Sequence, residues 1–185
     1  MDVCPGTAAQ QEKVKGVIKE WEKYANIKFE WVASQDATIR IILDRNRGSW
    51  SLIGCNIEKC EPPNPTMNLG WIDDTEVVSE IDRGVILHEF GHTLGLIHEH
   101  QSPMRGGIFR LNVAGTSTRT MSGSLSLMFI TATIEYYTKH ERWAVSDVWQ
   151  NILHVYNREE LSNYSRLDPK SIMMCVLFLL MPADL

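Results

Sequence analysis

The histidines of this chain are concentrated in one short segment, and their spacing suits a metal ion. Residues 88–99 read HEFGHTLGLIHE, and four of the six histidines lie between residues 88 and 100. His88 and His92 are four residues apart, so on a helix their imidazoles lie on one face, one turn apart. Two rings placed in this way can each direct a nitrogen at one Zn²⁺ at about 2.0–2.1 Å.

The residues around these two histidines extend the pattern to a reactive site. Glu89 follows His88 at the edge of the same face, where its carboxylate can reach a metal-bound water without being a ligand. Gly95 can adopt the left-handed conformation that ends a helix, and a turn there would direct His98 toward the metal. Three histidines plus a water form the open site of a catalytic zinc, whereas a structural site takes a fourth protein ligand.

The length of the pattern separates a metal site from a chance match. The pentapeptide H-E-x-x-H alone occurs on ordinary helices that bind nothing. The extended pattern H-E-x-x-H-x-x-G-x-x-H fixes five positions at set spacing and is the signature of the metzincin zinc peptidases, which also have a later Met-turn. The extended match therefore favours a catalytic zinc site over a structural helix.

At these residues the chain resembles the astacin-like branch of the metzincins. Glu99 directly after His98 is typical of that branch. The segments TMNLGWIDD at 66–74, HEHQSP at 98–103 and LDPKSIMM at 167–174 are also similar to astacin-type peptidase sequence. The resemblance implies a secreted zinc endopeptidase that acts on protein or peptide substrates.

The resemblance also implies a role for each residue that matches the family motif. Zn²⁺ would be bound by His88, His92 and His98, and Glu89 would take a proton from the zinc-bound water and pass it to the leaving amine. Met173, in the sequence Ser-Ile-Met, would lie beneath the three imidazoles without binding the metal. Simple core packing is the alternative for Met173.

The segment TMNLGW is expected to be the edge strand above the cleft, where an extended peptide adds as an antiparallel strand. The substrate-binding residues would then be Met67, Asn68, Leu69, Gly70 and Trp71. A plain internal strand is the competing interpretation. In relatives, the equivalent of Glu99 pairs with the buried N-terminus of the mature enzyme, and a surface carboxylate is the alternative here.

The chain departs from the family pattern in three ways. Cys175 stands where the family has a tyrosine that donates a hydrogen bond to the oxyanion, and loss of one such donor typically costs about 10²–10³ in rate. A Cys175 thiolate could instead coordinate the zinc. Residues 107–131 and 175–185 have no recognised counterpart, and a retained intron is one hypothesis for them. The alternative function is thus a catalytically weak or inactive astacin-like relative that binds zinc and peptide.

The metal-binding segment must be positioned by regular elements, which hydrophobic periodicity and turn residues locate. The patterns predict helices over 8–26, from about 77 to 95, over 130–140 and over 145–156, and strands over 27–32, 37–43, 49–53 and 66–71. The resulting fold class is α+β, a metzincin-type two-lobed domain over 1–185. Its N-terminal lobe, about 1–95, would hold a twisted mixed, mostly parallel sheet with a backing helix and the active-site helix. Its C-terminal lobe, about 96–185, would be mainly irregular and helical.

Composition excludes several other classes of function. Lys and Arg number 18 and Asp and Glu 23, so the formal net charge is −5, without a basic patch for nucleic acid or an anionic membrane. The N-terminus lacks the apolar stretch of a signal peptide. We expect a monomer. For Cys55 and Cys60, a local disulfide or two buried thiols is favoured over a metal site.

Overall fold

The computed structural model describes residues 6–34, 36–104, 134–139, 142–168 and 170–174. The chain divides between Leu96 and Ile97 into two compact units. Helices and a small mixed sheet confirm the predicted α+β class. Among the described residues, no helix combines the length and the apolar character needed to cross a membrane.

The N-terminal helix is shorter than its sequence pattern predicts. Helix α1 spans Ala8–Ile18, and a single further turn, α2, spans Trp21–Tyr24. The predicted continuous helix over 8–26 is therefore wrong at its C-terminal end. The indole N–H of Trp21 donates to the carbonyl of Leu87 at 3.2 Å, and this tertiary bond accompanies the break. The apolar face of α1 is buried as expected, and α1 packs against helix α3, which spans Glu80–Thr93.

The first unit holds a mixed sheet, as predicted, but the described sheet has three strands rather than four and is not mostly parallel, since it contains one parallel and one antiparallel pair. Its strands are β1 at Ile41–Ile42, β2 at Ser49–Ser51 and β3 at Met67–Leu69. The strand order is β1-β3-β2, with β1 parallel and β2 antiparallel to β3. All three strands are shorter than the runs that predicted them. The run 27–32 forms no strand. Within it, the Phe29 N–H donates to the Glu22 carboxylate rather than to a neighbouring strand, and the Phe29 ring packs edge-on against Phe90.

The position of β3 corrects the prediction of an edge strand. Within the described sheet, β3 is the central strand, with a partner on each side. Met67, Asn68 and Leu69 are fully buried, as is typical of a strand covered on both faces. Since both edges of β3 are already paired, it has no open edge for a peptide, and the internal-strand alternative is the one that the structure supports.

The side chain of Asn68 fastens the β1–β2 connection to the central strand. Its Oδ1 accepts from the Asp44 N–H at 2.9 Å, and its Nδ2 donates to the carbonyls of Asp44 and Gly48. A Cβ at Gly70 would collide with the same two carbonyl oxygens. Asn68 and Gly70 therefore stabilise the β1–β2 loop. The alternation of side chains along a strand could not predict this structural role.

Helix α3 carries the histidines and is capped at both ends. Ser79 is the N-cap, and it forms a reciprocal capping box with Asp82. At the other end Gly95 has a φ of 94°, in the left-handed region predicted for it. The Leu96 N–H donates to Gly91 and the Gly95 N–H donates to His92, which is the hydrogen-bond pattern of a Schellman motif.

A buried ion pair joins α1 to the start of α3. Lys13 Nζ donates to Asp82 at 2.8 Å and to Asp73, and the side chains of Lys13 and Asp82 are 1% and 2% exposed. Burial alone would lower the pKa of Lys13, but its hydrogen bonds to Asp73 and Asp82 outweigh burial and raise it. Burial would likewise raise the pKa of Asp82, and the bonds from Lys13 and Ser79 instead lower it. Both charges are thus stabilised in the folded chain.

The second unit has its own small apolar core. Its described helices are α4, at residues 134–139, and α5 at Val145–Val148, which continues into a π-helical turn at Trp149–Leu153. These helices are shorter than the predicted runs 130–140 and 145–156. The buried core residues are Tyr137, Val148, Ile152 and Leu153.

Two further sequence predictions concern the cysteines and the atypical segments. Cys55 and Cys60 are free thiols, and Cys55 is exposed, so the local disulfide and the pair of buried thiols were both wrong. Residues 107–131 and 175–185, including Cys175, lie outside the described residues.

Replacing Lys13 with methionine tests the buried ion pair. Lys13→Met leaves the Asp82 carboxylate buried without its cation, which typically costs about 3–5 kcal/mol of unfolding free energy. Lys15→Met is the matched control on α1, because Lys15 forms a partly exposed pair with Glu12 whose contribution is about 0–1 kcal/mol. Urea unfolding measures both variants, and equal losses would contradict this assignment.

The same pair predicts a pH dependence. Since the pKa of Asp82 is lowered from 3.8, its ionisation stabilises the fold above that value and the contribution is lost as the pH falls through the folded-state pKa. The stability difference between wild type and Lys13→Met should therefore shrink on acidification below about pH 4. A difference that stays constant from about pH 7 to about pH 3 would show that Asp82 is not the group involved.

Replacing Gly95 with alanine tests the left-handed turn. No atom would obstruct the new Cβ, so the expected loss of about 1–2 kcal/mol comes from the positive φ alone. Gly84→Ala, within α3 and equally unobstructed, should instead stabilise the chain by about 0.5–1 kcal/mol. Chemical unfolding of the two variants should give changes of opposite sign, and a stabilising Gly95→Ala would refute the argument.

Candidate metal centre

Helix α3 places two histidines and a glutamate in the protein interior. His88, Glu89 and His92 are 6%, 5% and 5% exposed. The rings of His88 and His92 lie 4.7 Å apart between centroids and are perpendicular to each other. The four-residue spacing thus brings the two imidazoles together, as the sequence predicted.

The end of α3 fixes the protonation of His92. Its Nδ1 lies 2.8 Å from the carbonyl oxygen of Leu96. A carbonyl only accepts, so Nδ1 carries the hydrogen and the lone pair is on Nε2, the form in which a neutral imidazole binds a metal. The turn at Gly95 brings the Leu96 carbonyl to this position. Sequence reasoning identified the turn at Gly95 but missed this second role of the segment.

The surroundings of His92 also keep its ring neutral. Burial, followed by the charge of the neighbouring His88, lowers the pKa of His92 to about 4, although the hydrogen bond to Leu96 acts in the opposite direction. Metal ligation requires the neutral imidazole. At neutral pH, His92 is therefore already in the ligating form.

The buried carboxyl group of Glu89 lacks part of its hydrogen bonding. Its Oε2 has no hydrogen-bond partner among the described residues. Burial raises the pKa of Glu89 to about 8. A buried polar atom of this kind costs free energy and calls for a functional explanation. A cation with a bound water beside the carboxyl group would supply both the charge and the hydrogen bond that Oε2 lacks.

His98 completes a three-nitrogen group. One ring nitrogen from each of His88, His92 and His98 lies within 4.8 Å of the others, and among the described residues this is the group of His, Cys, Asp and Glu side chains found able to hold a metal ion. A tetrahedral ion bound at about 2.0–2.1 Å would hold three nitrogens roughly 3.3 Å apart, which is within this limit. The three imidazoles therefore fit a metal ion, and the Glu89 oxygen that lacks a partner among the described residues fits a water bound to that ion.

The residue after His98 is held by the C-terminal part of the chain. The Glu99 N–H donates to the carbonyl of Met173 at 2.9 Å, and the Glu99 carboxylate accepts from the Asp168 N–H at 3.0 Å. Glu99 therefore acts as a hydrogen-bond acceptor for the backbone. Met173 is buried in a turn whose N–H groups bond to Ser171, and its position beneath the imidazoles stays a prediction.

The predicted substrate-binding residues do not form one surface. Met67, Asn68 and Leu69 lie in the interior of the sheet, and Gly70 is pressed against the β1–β2 loop. Trp71, at the end of the segment, is exposed. A substrate contact by Trp71 stays a prediction.

Comparison with known proteins identifies the family of the chain. The model of the astacin peptidase family matches residues 5–122. A solved structure of myroilysin is 32% identical, with a TM-score of 0.72, and the match covers 92% of this chain and 73% of that one. A crystal structure of myroilysin is 30% identical, with a TM-score of 0.58, and the match covers 91% of this chain and 65% of that one. Among curated protein sequences, none matches significantly. The chain therefore belongs to the astacin family of metallopeptidases.

Proposed function

We propose that this chain is a zinc-dependent endopeptidase whose metal is held by His88, His92 and His98. The observation that carries the proposal is the convergence of three imidazole nitrogens, two of them on the helix that also carries Glu89, a buried residue whose Oε2 has no hydrogen-bond partner among the described residues. Three imidazole ligands favour zinc over the hard cations, which prefer oxygen ligands. With three protein ligands at set spacing, a fourth position remains for water.

The chain's own residues supply the proton transfers. Bound zinc would lower the pKa of a water ligand and polarise the scissile carbonyl. Glu89 accepts the proton of the attacking water and passes it to the leaving amine nitrogen. A buried carboxylate beside the metal-bound water can take the proton in the first step and hold it until the second.

We assign peptide binding to strand β2 rather than to β3. Within the described sheet, β2 is an edge strand, so one side of its backbone has no strand partner. It packs against α3, and the hydroxyls of Ser51 and Thr93 lie 3.0 Å apart. Thr93 directly follows the ligand His92. A peptide added along this edge would therefore run next to the helix that carries the metal ligands.

A second candidate function is that of a zinc- and peptide-binding relative with weak or no turnover. The observation that favours it is Cys175, which stands two residues after Met173 in place of the family's tyrosine. A thiol is a poor hydrogen-bond donor to an oxyanion. For either candidate, the proposal includes an extracellular location, which is common in the family, and a monomeric state.

A cleavage assay tests the mechanism. Wild type should degrade an unfolded protein substrate, a chelator should abolish cleavage, and added zinc should restore it. Glu89→Gln should retain zinc and lose about 10²–10⁴ in rate, because the proton acceptor is gone. Glu12→Gln, an exposed carboxylate on α1, is the control and should be fully active.

Three results of this assay decide between the candidates. Proteolysis that persists in the chelator, or in Glu89→Gln, would refute the proposed mechanism. Zinc binding by wild type without cleavage would support the second candidate. Loss of zinc from Glu89→Gln would show that Glu89 is a ligand rather than a base.

A further inference from the structure

His100 is a buried residue next to the third ligand that the proposed function does not use. Its side chain is fully buried. Its ring stacks on the ring of His98, with centroids 5.2 Å apart and an interplanar angle of 18°. The two histidines on either side of Glu99 thus have nearly parallel rings in contact.

A hydrogen bond fixes the His100 ring. Its Nε2 lies 2.9 Å from the carbonyl oxygen of Asn151, and because that oxygen only accepts, Nε2 is the donor. The adjacent Gln101 side chain donates to the Gln150 carbonyl at 2.6 Å, and the Gln101 carbonyl accepts from the Tyr156 N–H at 3.1 Å. Both side-chain bonds end on the π-helical turn Trp149–Leu153, where the widened helix presents its carbonyls.

The side chain of His98, the third proposed ligand, is less restricted by the backbone than those of His88 and His92. His88 and His92 lie on α3, where backbone geometry restricts their side-chain rotamers. His98 lies after the end of α3, immediately before the short 3₁₀ turn Glu99–Gln101, so no preceding α-helical turn restricts its rotamer. A flat, immobile neighbour on one face of its ring restricts the ring's rotation about χ2.

We infer that His100 is a positioning residue for the metal site, which orients the His98 ring by stacking while Asn151 holds His100 in place. This inference rests on the proposed zinc site. His100 therefore makes two contacts with different effects. Its ring face orients the His98 ring, and its ring N–H stabilises the fold through the hydrogen bond to Asn151. Residues that orient a metal ligand typically contribute about 10–100-fold in metal affinity.

Two substitutions separate the two contacts. His100→Phe keeps an aromatic face for His98 and removes the donor to Asn151. His100→Gln keeps a side-chain N–H for Asn151 and removes the ring. His154→Gln is the control, because His154 is an exposed histidine of the same unit with its own ring contact, to Tyr156.

Each variant is measured in two ways. Zinc affinity is obtained by competition with a chromophoric chelator, and Co²⁺ replaces zinc so that its visible absorption bands report ligand geometry. The stability of the metal-depleted chain is obtained by urea unfolding. Neither readout requires that the loaded enzyme be active.

We expect the two His100 variants to rank in opposite orders by zinc affinity and by stability. His100→Phe should bind zinc almost as tightly as wild type, with an unchanged Co²⁺ spectrum, but should be the less stable variant. His100→Gln should be the more stable variant, but should bind zinc about 10–100-fold more weakly, with altered Co²⁺ bands. His154→Gln should match wild type in metal binding.

Other outcomes would overturn the inference. If zinc affinity follows stability through the series, His100 is only a core residue. If all variants bind zinc as wild type does, stacking does not orient His98, while the proposed zinc site still holds. A wild-type chain that binds neither zinc nor Co²⁺ would remove the zinc site itself, and this inference with it.

Discussion

The direction of helix α3 depends on one carboxylate, that of Asp82. It accepts the N–H groups of Ser79 and Asp73 at 3.0 and 3.1 Å, and it pairs with the buried ammonium of Lys13. One side chain thereby closes the capping box, fixes the loop that enters the helix and joins α3 to α1. Because His88 and His92 follow on the same rigid helix, the position and rotation set at Asp82 determine where their rings lie.

The C-terminal half of α3 contains two features that destabilise the fold, and the hydrogen bonds and ion pair of Asp82 at the start of the helix offset their cost. Gly95 has a left-handed backbone, and Glu89 is buried with an oxygen that no described residue satisfies. Both features cost stability in isolation. The turn at Gly95 brings the Leu96 carbonyl to His92, and the buried carboxyl group is the one to which we assign the proton transfers. The strain lies at the site and the compensating bonds lie at the start of the helix.

Sequence reasoning succeeded where structure is local. The spacing of His88 and His92 on helix α3 and the turn at Gly95 depend on residues within a few positions of each other, so periodicity and turn chemistry were enough. It failed where partners are distant. The order β1-β3-β2 and the burial of Met67–Leu69 depend on strands that are separated along the chain, and alternation along TMNLGW cannot distinguish a central from an edge strand. The break after Ile18 likewise follows a bond from Trp21 to Leu87, 66 residues away.

The same distinction applies within the metal centre. His88 and His92 are brought together by helix geometry alone, so a short pattern is sufficient to specify them. His98 is followed by residues whose hydrogen bonds reach Asn151, Asp168 and Met173, far along the chain. These bonds form only when the second unit folds. A motif of fixed spacing can therefore point to all three proposed ligands, but the geometry of the third depends on sequence far outside the motif. Divergence in the C-terminal segments can accordingly change how the site performs while the motif itself stays intact.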